Sequence, residues 1–281
     1  MTQNGHLNRP IRAGSRFLTD PDPGAILDPG RPVLGYARDS GPDETGWHSH
    51  CRAQLLFAIE GVMTVSTRDG TWVVPPQQAV WVPAGTEHDV LFMQDIAMRS
   101  LYLDPTVVGG LPETCCVVSV SPLLRELIMR AIEIGLDYPP DGSQARLMAV
   151  IPDELSRLDP EPLHLPLPAD PRLRTVTDAL IADPSDGRDL KAWARTAGAS
   201  ERTLARLFVK ETGMTFGTWR QRRRLLAAIG RLAEGRPVTS VAYDLGYDSP
   251  SAFITMFRRT LGATPGRYLQ HAANPVDEPS L

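Results

Sequence analysis

At 281 residues the chain has room for about two domains, and 42% hydrophobic against 22% charged residues excludes a collagen-like or wholly disordered polymer. The net charge of −4 hides an asymmetry: residues 1–169 hold 12 Arg or Lys against 21 Asp or Glu, whereas residues 170–269 hold 17 against 10. A basic rear half behind an acidic front is the pattern of a domain that meets a polyanion, and nucleic acid is the candidate.

The chain opens on MTQNGHLNRP, which lacks the basic and then apolar segments of a secretory signal, and no apolar run is long enough to span a membrane. Cys51, Cys115 and Cys116 are odd in number with two adjacent, so no disulfide framework is expected. A cytoplasmic protein without a membrane partner is the expectation. Residues 1–32, ending in the run DPDPGAILDPGRP, read as a flexible arm. Residues 33–119 are rich in Val, Thr and Trp in alternation and carry an Asp-Gly hairpin signal in TVSTRDGTWVVP, which predicts a compact β domain. Ser121 as N-cap and Pro122 at the first helical position open an amphipathic helix with Leu124, Leu127, Ile128 and Ala131 on one stripe. A second helix is expected over about 143–157. Residues 120–157 therefore form a helical segment whose apolar stripe is a candidate homodimer contact. LDPEPLHLPLPADP, at 158–171, is too proline-rich for regular structure and reads as an interdomain linker.

Within 172–270 the region from 190 repeats in the region from 238. At an offset of 48, Leu190, Trp193, Ala194 and Gly198 fall on Val238, Val241, Ala242 and Gly246; at 49, Ser200, Leu204, Leu207, Phe208 and Gly213 fall on Ser249, Phe253, Met256, Phe257 and Gly262. Each copy is a short apolar-striped helix, a glycine turn, a Ser N-cap and a second helix closed by Gly, the shape of a helix-turn-helix. Opposite the apolar stripes, helical spacing selects Arg202, Ala205 and Arg206 in the first copy, and Ser251, Ile254 and Thr255 in the second, for the major groove. The arginines suit guanine, Ile254 a thymine methyl, and Ser251 and Thr255 either strand. Arg222, Arg223, Arg224, Arg258 and Arg259 are expected to clamp phosphates. A helix from about Thr218 to Ala233, roughly 24 Å long, separates the copies, so that one protein chain can span two adjacent major grooves of double-stranded DNA, about 34 Å apart. Trp193 and Trp219 lie on the apolar stripes and are expected in the core.

The stretch 190–269, above all VTSVAYDLGYDSPSAFITMFRRTLGATPGRYL, resembles the DNA-binding domain of the AraC/XylS family of bacterial transcription regulators. The resemblance implies two helix-turn-helix units, promoter activation or repression with RNA polymerase as a partner, and a ligand-binding or dimerising domain in front. It adds Pro250 to the base-contacting positions. Ala205 and Pro250 have no side-chain donor, which shifts specificity toward the first copy.

In the front domain His48 and His50 share one strand face, Gln54 follows four residues after His50, and His88 comes after a Pro-Ala-Gly turn. This pattern resembles the cupin family, a small β-barrel in which three histidines and a glutamate hold a divalent metal; here Gln54 replaces the glutamate. The fold class expected is multidomain α+β: a cupin-like barrel, a helical segment and an all-α domain with two helix-turn-helix units, followed by a tail at 271–281. Three uses of the pocket are compatible with the residues. It is a sensory site for a small-molecule effector, with or without one divalent transition metal; a ligand-free dimerisation barrel; or, in the alternative reading, a metal-dependent cupin enzyme with an accessory DNA-binding module. No further acid-base group supports the last, so no enzyme is expected. The front domain further resembles the nitroimidazole-resistance subgroup of cupin-headed AraC regulators, which implies control of a neighbouring transporter gene. The vicinal Cys115–Cys116 reads as a redox or metal sensor or, on a strand, as two buried small hydrophobes. His6, His164 and His271 have no assignable partners.

Overall fold

The computed structural model describes residues 30–158, 160–161 and 163–268. Residues 1–29 of the arm and the 271–281 tail, with His6 and His271, lie outside the described residues. The front half contains β1 (Val33–Ser40), β2 (Asp43–Glu44), β3 (Ala53–Glu60), β4 (Met63–Thr67), β5 (Gly70–Val74), β6 (Gln78–Val82), β7 (His88–Phe92), β8 (Ile96–Leu103) and β9 (Cys116–Ser119). Helices α1 (Pro122–Ile134) and α2 (Ser143–Leu155) follow, then β10 (Pro160–Glu161) and β11 (His164–Pro166).

The strands form two antiparallel sheets, ordered β1-β8-β3-β6-β9-β10 and β11-β5-β4-β7-β2. They lie against one another without closing into the expected barrel. The first sheet is buried on both faces, which explains why β3 reads as the nearly unbroken apolar run AQLLFAI. Leu56, Val80, Val82 and Met98 belong to the core shared with the second sheet, while Leu55, Phe57, Trp81 and Leu101 pack with α1 and α2. Gly35 permits the close approach of α1: a Cβ there would meet Ala131 O at 2.4 Å. Ser121 caps α1 by accepting from Leu124 N. The stripe Leu124, Leu127, Ile128 and Ala131 is buried in this packing and is therefore not an intermolecular surface.

The proline-rich stretch is also not an irregular linker. β10 pairs with β9, and β11 adds to the outer edge of β5 with Gly70 opposite Pro166. Proline is tolerated because both are edge strands. His164, without an assigned partner in the sequence, stacks on Trp72 with ring centroids 4.5 Å apart.

The rear half is all helical: α3 (Pro171–Ala182), α4 (Leu190–Thr196), α5 (Glu201–Thr212), α6 (Phe216–Ala233), α7 (Val238–Asp244) and α8 (Pro250–Leu261). α3 was not visible as a separate element in the sequence pattern; Asp170 caps it and Pro171 starts it. Trp193 and Trp219 are fully buried. The core of the helices is continuous with that between the sheets, through Leu163, Leu165 and Trp219. Among the described residues no helix is long and apolar enough to cross a membrane.

Candidate functional site

Two regions gather the polar residues singled out by the sequence. In the rear half, α4–α5 and α7–α8 each form a helix-turn-helix pair. Ser200 Oγ accepts from Thr203 N and Ser249 Oγ from Ala252 N, so both second helices begin at a satisfied cap. Both end at a glycine in the left-handed region, Gly213 and Gly262, where a side chain would be strained. Between these punctuation marks, Leu204, Leu207 and Phe208 of α5 and Phe253, Met256 and Phe257 of α8 turn inward. The opposite faces carry Arg202, Arg206, Ser251 and Thr255 exposed, with Ala205, Pro250 and Ile254 partly buried. Ile254 also packs against the helical core.

Of the five expected phosphate clamps, only Arg258 and Arg259 project from an exposed face. Arg259 reaches Gln221 Oε1 at 3.5 Å. The other three are partly buried and each donates to a backbone carbonyl. Arg222 Nη1 donates to His164 O (3.4 Å), Arg223 Nη2 to Ile181 O (2.7 Å), and Arg224 to Pro184 O (2.9 Å) and Ser185 O (3.2 Å). Burial lowers the Arg223 pKa to about 10. The physical reason is geometric: three consecutive residues spread over about 200° of helix, and α6 packs against β11, α3 and the 183–189 loop on those sides.

In the front half, His48 and His50 lie on the loop before β3, and His88 opens β7. A two-way backbone bridge between His48 and His88, 2.9 and 2.8 Å, holds the loop to the strand. The three rings form one cluster, with a ligand atom from each within 4.8 Å of the others. Each ring donates its Nδ1–H to a carbonyl: His48 to Gly46 (2.8 Å), His50 to Arg52 (2.6 Å) and His88 to Thr86 (2.9 Å). A neutral ring held this way has its Nε2 lone pair free for a metal, and metal-binding imidazoles are oriented by the same Nδ1–carbonyl contact. His88 Nε2 is buried with no hydrogen-bond partner among the described residues. Burial lowers the His88 pKa to about 4 and keeps the ring neutral.

Gln54 is also part of this cluster. Its Oε1 faces His50 Nε2 at 3.0 Å, and its Nε2 donates to Tyr102 OH (2.7 Å) and Ser100 Oγ (3.2 Å). With Gln54 Oε1 as acceptor, this contact is a hydrogen bond when His50 Nε2 carries the proton, and a divalent cation in place of that proton would be shared by the same two atoms. The donor set fits a transition metal, with three imidazoles and a weak amide oxygen. Ser100 and Tyr102 escaped the sequence reading. Their period-two spacing in SLYLDP is the signal that puts both on one face, with Tyr102 opposite Gln54 in the register and Ser100 opposite Leu56. Next to His48 and His88 in the chain, Trp47 lies under the Arg68 guanidinium at 4.8 Å and Glu87 accepts from Arg68 Nε at 2.9 Å.

Cys115 and Cys116 do not form a joint site. Cys115, just before β9, packs against the core between the sheets, and Cys116, the first residue of β9, against the helical side.

Comparison with known proteins gives two family matches: an AraC-like ligand binding domain over residues 31–151 and a helix-turn-helix domain over residues 193–271. The chain is 41% identical over 239 residues to the HTH-type transcriptional regulator NimR of Escherichia coli, covering 84% of this chain and 87% of the relative. Over 76 residues it is 42% identical to the E. coli regulatory protein SoxS, covering 27% of this chain and 71% of SoxS. Among solved structures, ToxT from Vibrio cholerae aligns over 85% of this chain and 98% of its own, at 10% identity and a TM-score of 0.37.

Proposed function

The chain belongs to the AraC family of helix-turn-helix transcriptional regulators, and from that premise we propose how its two halves work. α5 and α8 enter successive major grooves of one duplex, held apart by the 18-residue α6, about 27 Å long. Arg202 and Arg206 read guanine edges; Ser251 and Thr255 hydrogen-bond to the second half-site; Ala205, Pro250 and Ile254 supply apolar contact. Arg258 and Arg259 take phosphates.

His48, His50 and His88 hold one divalent transition metal through Nε2, with Gln54 as a weak additional donor, and this centre receives the effector. A bound cation would supply a Lewis-acidic anchor for a small molecule that carries a lone pair. The observation that carries this reading is the clustering of the three rings, each with Nδ1 against a backbone carbonyl and one ring nitrogen within 4.8 Å of the others'. The pocket is regulatory, in keeping with relatives that are named as regulators. The protein acts as a homodimer through the remaining exposed apolar residues of the helical segment, Leu123 and Val150, and engages RNA polymerase at a promoter beside a transporter gene.

Elemental mass spectrometry on untagged protein purified without chelator tests the pocket. About one transition metal per wild-type chain, absent from His50→Ala, is expected. No metal in either protein would remove the metal centre and leave an organic ligand alone. Selection of bound sequences from random DNA, repeated with Arg206→Ala, tests the groove assignment; identical preferences in both proteins would refute it.

A further inference from the structure

The β4–β5 hairpin lies between the histidine cluster and the DNA-binding helices and touches both. On one side, Thr67 pairs with His88 across β4 and β7. The next residue, Arg68, lies over the Trp47 ring and binds Glu87, the neighbours of His48 and His88. On the other side, Asp69 O accepts from Leu167 N at 3.1 Å, and Gly70 pairs with Pro166 of β11. Pro166 O in turn accepts from the buried Trp219 Nε1 of α6 at 2.8 Å, and His164 O from Arg222. α6 is the rod that joins the two helix-turn-helix units. Fewer than a handful of contacts therefore connect a pocket ligand to the element that sets their separation.

We propose that the hairpin from Thr67 to Gly70 transmits the state of the histidine pocket to α6 through the β11 strap, with Arg68 as the positioning residue. The strap is a three-residue edge strand, paired with β5 on one side and held on the other by the Trp219 and Arg222 hydrogen bonds to its carbonyls, so a shift of the hairpin is passed directly to α6. Its seat depends on the absence of a side chain at position 70, where a Cβ would meet His164 Nε2 at 2.2 Å. Arg68 is exposed, so its ion pair alone contributes little to global stability, and its effect is local. The inference rests on the reading of the histidines as a ligand pocket.

Hydrogen exchange of the full chain, resolved to peptides covering 163–168 and followed without metal, tests the connection. Arg68→Ala and His88→Asn are each expected to speed exchange of the strap about three- to tenfold, with the double variant no faster than the faster single one. Arg68→Lys, which keeps the charge, is expected to restore most of the protection. Peptides of α1 stay unchanged, which a general loss of stability would not allow. Gly70→Ala is the positive control for a lifted strap. Should His88→Asn fail to fold, Glu87→Gln takes its place at the exposed end of the same contact. Strap exchange that is unchanged in the single variants, or strictly additive in the double, would overturn the proposal. Cobalt(II) is then added. Slower strap exchange in the wild type and none in Arg68→Ala supports transmission, whereas slowing of equal size in both overturns it. Cobalt that fails to bind sinks the metal reading of the pocket, while the metal-free variant comparison still decides the relay.

Discussion

The indole Nε1 of Trp219 donates a 2.8 Å hydrogen bond to the carbonyl of Pro166, both groups being buried. A proline-rich segment is thereby fixed to the central helix of the DNA-binding half. Trp219→Phe keeps most of the ring but leaves the Pro166 carbonyl unpaired, so a loss of about 1–3 kcal/mol in urea unfolding is expected. A variant as stable as the wild type would show that the bond adds nothing.

The arginines divide into two classes that DNA binding separates. Arg206→Ala is expected to cost about 1–3 kcal/mol on a specific site and to relax one base position. Arg258→Ala weakens all sequences alike and reduces the salt slope by about 1. Arg223→Ala leaves the salt slope unchanged and lowers folding stability instead, because its guanidinium is buried on Ile181 O. Titrations at four salt concentrations with all three variants settle the assignment; a reduced slope for Arg223→Ala would reverse it.

Gln54 supplies a neutral oxygen where a carboxylate would bind a divalent ion more strongly. Gln54→Glu is expected to tighten zinc or cobalt binding by an order of magnitude or more, measured by competition with a chromophoric chelator. Unchanged affinity would remove residue 54 from the donor set.

His164 makes the fold sensitive to acid. Burial, with Arg222 nearby, lowers its pKa to about 4 against the ordinary 6.5, while Asp69 opposes the shift. The folded state therefore holds the ring neutral where the unfolded chain takes up a proton. This contribution to stability is complete above pH 6.5 and declines as the pH falls toward 4, with a slope below about 1.4 kcal/mol per pH unit because the ring is partly exposed. His164→Phe is expected to unfold with a shallower dependence between pH 4 and 6.5; identical slopes would contradict the assignment.

The cysteines differ in access. Burial, and then Cys116 and Asp69, push the Cys115 thiol up to about 12, and burial also raises Cys116, whereas Cys51 is exposed. An aromatic disulfide reagent at pH 8 is expected to titrate one thiol quickly in the native protein and three in denaturant. Rapid paired reaction of Cys115 and Cys116 would restore a vicinal sensor.

The sequence alone determined what depends on local pattern. The repeat from 190 onto 238, the caps at Ser121, Ser200 and Ser249, and the exposed arginines of α5 follow from helical spacing and from side chains that satisfy their own helix ends. The His48, His50, Gln54 and His88 grouping was equally legible from their spacing and the turn before His88, although His48 and His50 lie on the loop before β3 and not on the strand face that the alternation predicts. Tertiary structure decided whatever depends on which partner covers a surface. The α1 stripe reads as a dimer face, yet the outer face of the first sheet buries it, and Arg222 to Arg224 read as phosphate ligands, yet each places at least one guanidinium N–H on a backbone carbonyl. The 158–171 segment looked like a linker because proline excludes a central strand, yet an open sheet edge asks for no hydrogen bond on its outer side. Closure of the barrel was undecidable for the same reason: period-two patterning assigns each strand two faces but does not say whether the first and last strands meet.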